Sequence, residues 1–135
     1  MIKVFLDSDI VLDALLRRVP FYLPAINLMD LAHNNRINVY TSSVAFVNVN
    51  YFLNKAKIDN RIDVLIQLRS IVDIINIDAI IVDQALSSIF TDFEDAVQYY
   101  AAVSAKVDFI ITRNTKDYTH SDIPVLTAEQ FLQTL

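Results

Sequence analysis

The chain has 135 residues, enough for one domain with its own core, expected to span 1–135. It is 54% hydrophobic, yet no apolar run has the roughly 20 residues of a membrane span, and Lys3 followed by strand and acids is not a signal peptide. The absence of cysteine excludes disulfides, thiolate metal sites and Cys nucleophiles and fits a cytoplasmic protein, while a net charge of −5 argues against loose, charge-driven binding to nucleic acid.

Ile2 to Leu6 is a short β-forming run of the kind buried on both faces of a sheet. It stops at Asp7, and Ser8 or Asp9 is placed to cap a helix reaching about Arg18, with Ile10, Val11, Ala14 and Leu15 on its apolar side. Val19-Pro20 breaks the chain. Phe21 to Asn34 resumes at helix period (Ala25, Leu28, Met29, Leu31, Ala32), with Pro24 tolerated in the first turn. Ile37 to Thr41 reads as a second strand. Ser42 or Ser43 then caps a helix to about Ala56, despite its β-branched residues. Asp59 to Val72 is an amphipathic helix, Asp73 to Ile77 a third strand, and Ala79 to Phe90 a helix. Asp92 opens another helix through Lys106. Val107 to Thr112 is the fourth strand, Arg113 to Asp122 a polar loop, Pro124 to Leu126 the last strand, and Thr127 to Leu135 a closing helix. Strands alternating with helices imply an α/β fold, a parallel sheet covered on both faces.

Glycine is absent, where average usage would give about nine. Gly-rich phosphate loops are therefore excluded, and any left-handed helix end must use Asn, Asp or a strained residue, Asn34-Asn35 being one such place. What remains for chemistry is three polar clusters: Asp7/Asp9, Asp92-Phe93-Glu94-Asp95, and Thr112 to Tyr118. Each alone has an ordinary reading as a cap or a solvated turn, and the second resembles a capping box. Ligands in open α/β sheets bind beyond the carboxyl ends of the strands, where strand order reverses. Carboxylates gathered there repel one another unless a cation offsets them. Oxygen donors without Cys, and with only His33 and His120 far apart in sequence, favour Mg²⁺ or Mn²⁺, and such sites suit metal-assisted hydrolysis of phosphodiesters.

Phe5 to Asp13, Asp92 to Gln98 and Thr112 to Tyr118 occur in the order and spacing of PIN-domain proteins, and the chain resembles one PIN domain nearly end to end. The resemblance implies a three-layer α/β/α fold with a five-stranded parallel sheet of order 3-2-1-4-5. It also implies a Mg²⁺- or Mn²⁺-dependent ribonuclease, many such proteins being the toxin half of a toxin–antitoxin pair. By position, the family's first and third acids are Asp7 and Asp95. Its second and fourth fall at the amides Asn48 and Asn114, and Asp9 stands where the family commonly has Asn. Asp117, Asp92 and Asp9 are near enough in sequence to substitute for the missing charges. The implied metal ligands are thus Asp7, Asp95, Asn114, Asp117 and Asp92. Asn48 would orient water or phosphate, Ser8 and Thr112 would support the acids, and Arg113 and Lys116, with Arg17 and Arg18 further off, would meet phosphates.

The implied partners are an RNA substrate, a small antitoxin protein and a second copy of the chain, paired through the apolar stretches Phe21-Tyr22-Leu23 and Val44 to Leu53. A PIN fold that binds RNA or protein without cutting is the alternative that the two amides leave open. A haloacid-dehalogenase-type phosphatase, suggested by Asp7-Ser8-Asp9, fails because the acidic cluster at 92–95 begins a helix in the wrong place.

Overall fold

Five short parallel strands form one sheet in the order β3-β2-β1-β4-β5, the order that the resemblance implies. The computed structural model describes residues 1–135. Its strands are β1 (Lys3–Leu6), β2 (Asn38–Ser42), β3 (Asp73–Ile75), β4 (Phe109–Ile111) and β5 (Val125–Leu126). The helices are α1 (Ser8–Leu16), α2 (Tyr22–His33), α3 (Ser43–Lys55), α4 (Arg61–Ile71), α5 (Ala79–Leu86), α6 (Phe93–Ser104) and α7 (Ala128–Gln133).

β1 lies at the centre, with Val4 opposite Val39 on one side and Phe109 on the other. Successive side chains of a strand face opposite ways, so Val4 and Leu6 enter one core and Phe5 the other. The first core packs Ile10, Val11, Leu28, Val49, Leu53, Leu68 and Phe131 under α1 to α4 and α7. The second packs Ile81, Ala85, Ala96, Val97, Ala101 and Ile110 under α5 and α6. Helices therefore cover both faces. None is long and apolar enough to cross a membrane.

Most helix starts are set by a side chain. Asp7, Ser42, Asp78, Asp92 and Thr127 each accept a backbone N–H of the succeeding helix, an interaction typically worth about 0.5–2 kcal/mol. The cap of α1 is Asp7 itself, not Ser8 or Asp9 as expected. At 92–95 only half of a capping box forms, Asp92 accepting from the Asp95 N–H; the reciprocal pair is Thr127 and Gln130.

Helix ends depart most from expectation. α1 stops two residues early because Arg17 turns left-handed (φ 50°) and donates its N–H to the Asp13 carbonyl. Asn35 does the same after α2 (φ 57°), as expected, but Lys57 and Lys106 fill the other left-handed positions. α5 ends at Leu86, short of Phe90, where the Ser87 and Ser88 hydroxyls return to the carbonyls of Asp83 and Ala85, local bonds that compete with the helix ladder. The loop after β4 contains a single 3-10 turn at Thr115–Tyr118.

Candidate active site

The crevice opens where β1 and β4 lie side by side and their chains leave in different directions. Pairing continues one residue past each strand: the Asp7 N–H donates to the Ile111 carbonyl and the Thr112 N–H to the Leu126 carbonyl, both at 3.0 Å. Asp7 and Thr112 are therefore fixed by the sheet before their side chains meet.

Asp7 Oδ1 accepts from the Ser8 N–H at 2.8 Å. Its Oδ2 accepts from the Thr112 hydroxyl at 3.1 Å and the Tyr118 hydroxyl at 3.2 Å. Burial pushes the Asp7 carboxyl above the ordinary range, the three donors pull it down, the Asp117 charge adds to the rise, and burial prevails. The Tyr118 phenol is raised by burial and by the Asp7 charge, so it remains a hydrogen-bond donor.

Across the crevice, the first turn of α6 presents Asp95. Burial first, then the charges of Asp92, Asp117, Asp7 and Glu94, push its carboxyl up to about 7. Five acids thus act on one another through a small volume. Glu94 Oε1 accepts from Asn48 Nδ2 at 3.1 Å, which ties α6 to α3. A deeper bond sets that approach: Ser42 Oγ, the cap of α3, donates to Gln98 Oε1 at 2.6 Å, and both residues are buried.

The third wall is a cluster of opposite charges. Asp9 Oδ2 accepts from the Arg113 N–H at 3.3 Å, and the carboxyl is pushed up to about 7 by burial and by the Asp7 charge. One turn on, Asp13 is 0% exposed, with its Oδ2 3.1 Å from Arg113 Nε and its Oδ1 3.9 Å from Arg18. Burial nonetheless raises its pKa. The Arg113 guanidinium also lies 4.3 Å from the centre of the Phe21 ring, a cation–π contact. Arg113 thereby joins the loop after β4 to α1 and to the start of α2.

Asp7, Asp95 and Asp117 come within range of one another's charge, and Asp92 adds its charge to Asp95 although its Oδ1 is taken by the Asp95 N–H. Asn114 caps the 3-10 turn without a side-chain bond, and its N–H donates to the Thr112 hydroxyl at 3.2 Å. Asn48 bonds Glu94, and Ser8 contributes its N–H. Arg113, expected at phosphate, is engaged by Asp13, and Arg18 likewise; Lys116 remains exposed. Tyr118, Glu94 and Asp13 were not singled out from the sequence. All three stand inside the quoted motifs, but their partners lie far along the chain.

No three His, Asp or Glu side chains stand as close together as a bound metal would draw them. The donors are nonetheless hard oxygens, and the raised Asp7 and Asp95 are acids that gain from a nearby cation. Their chemistry fits Mg²⁺ or Mn²⁺ and does not fit a soft-ligand metal.

Three comparisons bear on this arrangement. The chain is 26% identical over 136 residues, 97% of its own length and 94% of the relative's, to Ribonuclease VapC1 of Aquifex aeolicus (strain VF5). In structure it resembles a toxin–antitoxin complex from Klebsiella pneumoniae, with TM-score 0.69, 23% identity, and coverage of 93% of this chain and 97% of that one. It also resembles VapBC2 of Rickettsia felis bound to a DNA fragment from their promoter, with TM-score 0.64, 18% identity, and coverage of 93% and 97%. The family model described as PIN domain matches residues 3–116, which takes in Asp7, Asn48, Asp95 and Asn114, and with the strand order and the crevice this places the chain in the PIN-domain family.

Proposed function

We propose that this chain is a Mg²⁺- or Mn²⁺-dependent endoribonuclease that hydrolyses RNA phosphodiester bonds, and that it is the toxin of a toxin–antitoxin pair. One observation carries the reading: Asp7 and Asp95, on different elements, face one crevice, burial raises both carboxyls above the ordinary range, and the Asp7 charge adds to the rise at Asp95. The name of the Aquifex relative and the toxin–antitoxin neighbours give the substrate class and the partner. Asp7 and Asp95 would hold the ion, with Asp117, whose charge acts on both, and Asn114 and Asp92 as further oxygen donors. A divalent ion held there supplies charge stabilisation for phosphodiester hydrolysis and a more acidic water.

The chain's own part is positioning. Thr112 and Tyr118 donate to one oxygen of Asp7 and the Ser8 N–H to the other, which fixes the plane of the carboxylate. Arg113 holds the loop that carries Asn114 and Asp117 against α1. The Ser42–Gln98 bond sets α3 beside α6, so that Asn48 and Glu94 meet at the edge of the site.

The test is cleavage of single-stranded RNA with and without Mn²⁺, alongside calorimetric titration of the ion. Asp7→Asn should lower the cleavage rate at least about 100-fold, the size of effect seen when one strong transition-state interaction is removed. An Asp7→Asn chain as active as the unsubstituted one would overturn the reading. Ion binding without cleavage of any RNA would favour the non-cutting module.

A further inference from the structure

Beside the acids lies an apolar groove of about 340 Å³, walled by Val44, Ile77, Val82 and Phe93, with Asn48 and Glu94 as its polar members. Its size falls within the roughly 300–1,000 Å³ of small-ligand clefts. Phe93 is the first residue of α6 and is 50% exposed. A large apolar ring bared on a helix start, two residues from Asp95, is not used by either core.

The charges explain why such a ring would matter. Nucleic-acid affinity usually comes from cations on phosphates, but this chain is net −5, and Arg113 and Arg18 are both spent on Asp13. Lys116 is the one cation of the three site motifs left unpaired by the salt bridges. Stacking of bases on aromatic rings is the other source of affinity for single strands, and an unpaired base also exposes its Watson–Crick edge.

Resting on the ribonuclease reading, we infer that the groove is a nucleobase subsite: a base next to the scissile phosphate stacks on Phe93 while the Asn48–Glu94 pair reads its edge. The pair also predicts which base. Asn48 spends one Nδ2 hydrogen on Glu94 Oε1, leaving Glu94 Oε2, Asn48 Oδ1 and a single hydrogen. Acceptors outnumber donors, so the favoured edge carries two adjacent donors. Guanine, with N1–H beside its exocyclic amine, is the base that offers this; adenine, cytosine and uracil each present fewer donors on that edge.

The experiment is fluorescence anisotropy of labelled RNA hexamers, single-stranded and duplex, in Ca²⁺ buffer, on the unsubstituted chain, Phe93→Ala, Phe93→Tyr and Glu94→Gln. Loss of one stacking platform should weaken single-strand binding about tenfold in Phe93→Ala, with Phe93→Tyr close to the unsubstituted chain. Glu94→Gln should erase a preference for guanine-containing hexamers and leave adenine-containing ones unchanged. Duplex should bind more weakly than single strand throughout. Since Phe93 is half exposed, a melting curve is enough to show that the variants fold. Equal affinity in Phe93→Ala, or no measurable single-strand binding by the unsubstituted chain, overturns the inference. So does sedimentation showing that Phe93→Ala only splits a dimer, because a second copy would then be the groove's occupant. Cleavage measured in parallel with Mn²⁺ separates the two readings. Phe93-dependent binding without cleavage sinks the nuclease and keeps the subsite, and cleavage indifferent to Phe93 does the opposite.

Discussion

Asp9 holds a carboxylate where both burial and the neighbouring Asp7 oppose its ionisation, and Asp95 is in a similar position. Each is pushed up to about 7 when folded, against about 3.9 in an unfolded chain. Between those values the folded state holds the extra protons. Their contribution to stability is therefore fully present below about pH 4 and is lost as pH rises through about 7. The metal-free chain should melt at a lower temperature at pH 8 than at pH 5, and Mn²⁺ should restore most of the difference at pH 8. Asp9→Asn removes one of these charges, and its amide oxygen still accepts from the Arg113 N–H. At pH 8 it should raise the melting temperature by several degrees, as a gain of about 1–2 kcal/mol would. At pH 5, where Asp9 is already protonated, it should change little. Melting curves at the two pH values check both statements.

The Asp13–Arg113 pair responds differently. Removing one partner of a buried ion pair typically costs about 3–5 kcal/mol, because the other charge is left uncompensated. Asp13 can escape by taking a proton, and burial already favours that. Arg113→Met should therefore destabilise more at pH 8 than at pH 5. Asp13→Ala should destabilise about equally at both, since an arginine does not give up its proton. Denaturant titrations of both variants would read the asymmetry; equal losses in Arg113→Met would mean that Asp13 stays charged without its partner.

At the level of elements, one small residue joins strand, helix and layer. Ser42 ends β2, caps α3 through the Ala45 N–H at 3.0 Å, and donates to Gln98 on α6. Ser42→Ala should lose both the cap and a buried bond and leave the Gln98 amide oxygen unpaired, about 2–3 kcal/mol together. It should also loosen Asn48 from Glu94, read as broadened side-chain NMR signals of those two residues. Gln98→Leu, which removes the polar group altogether, should cost less.

The same elements mark what the sequence could and could not yield. Every strand and helix was legible, because apolar runs of the right period are cut off by polar residues that cap the next helix. Asp7, Asp92 and Thr127 are such cuts. Apart from Asn35, the helix ends were not legible: nothing in the composition says that Arg17 or Lys106 will turn left-handed, since lysine and arginine are good helix formers. Nor was the Tyr118 bond to Asp7, which joins residues 111 apart, or the Arg113 pair, where a cation near phosphate chemistry turned out to be structural. Motif spacing locates acids on a crevice. It does not say which cation meets which acid.

At the scale of the whole molecule, α3 carries an outward apolar row that neither the fold nor the groove absorbs. Along α3, Val47 is 67% exposed and Tyr51 59% exposed, one helical turn apart and so on one face. Ala45, Val49 and Leu53 of the same helix are buried. Pairing of two copies through this row is the expected outcome, a two-fold contact being the commonest closed arrangement. Sedimentation should show a dimer that Val47→Lys converts to a monomer, whose melting temperature no longer rises with protein concentration. A monomer at every concentration tested would leave Val47 and Tyr51 as ordinary surface.

Four left-handed turns filled by Arg17, Asn35, Lys57 and Lys106, in a chain with no glycine at all, also bear on the state that is never drawn. A side chain held there costs the native fold of order 1 kcal/mol, somewhat less for Asn. Yet each of these residues restricts the disordered chain, where a glycine would roam more widely and make folding entropically harder by roughly 0.4–1 kcal/mol. The two effects run in opposite directions and are similar in size. Lys57→Gly should consequently be close to neutral in equilibrium stability, although it relieves a visible distortion. The distortion and its compensation sit in different ensembles: a folded chain bent at four points, and an unfolded one stiff along its whole length.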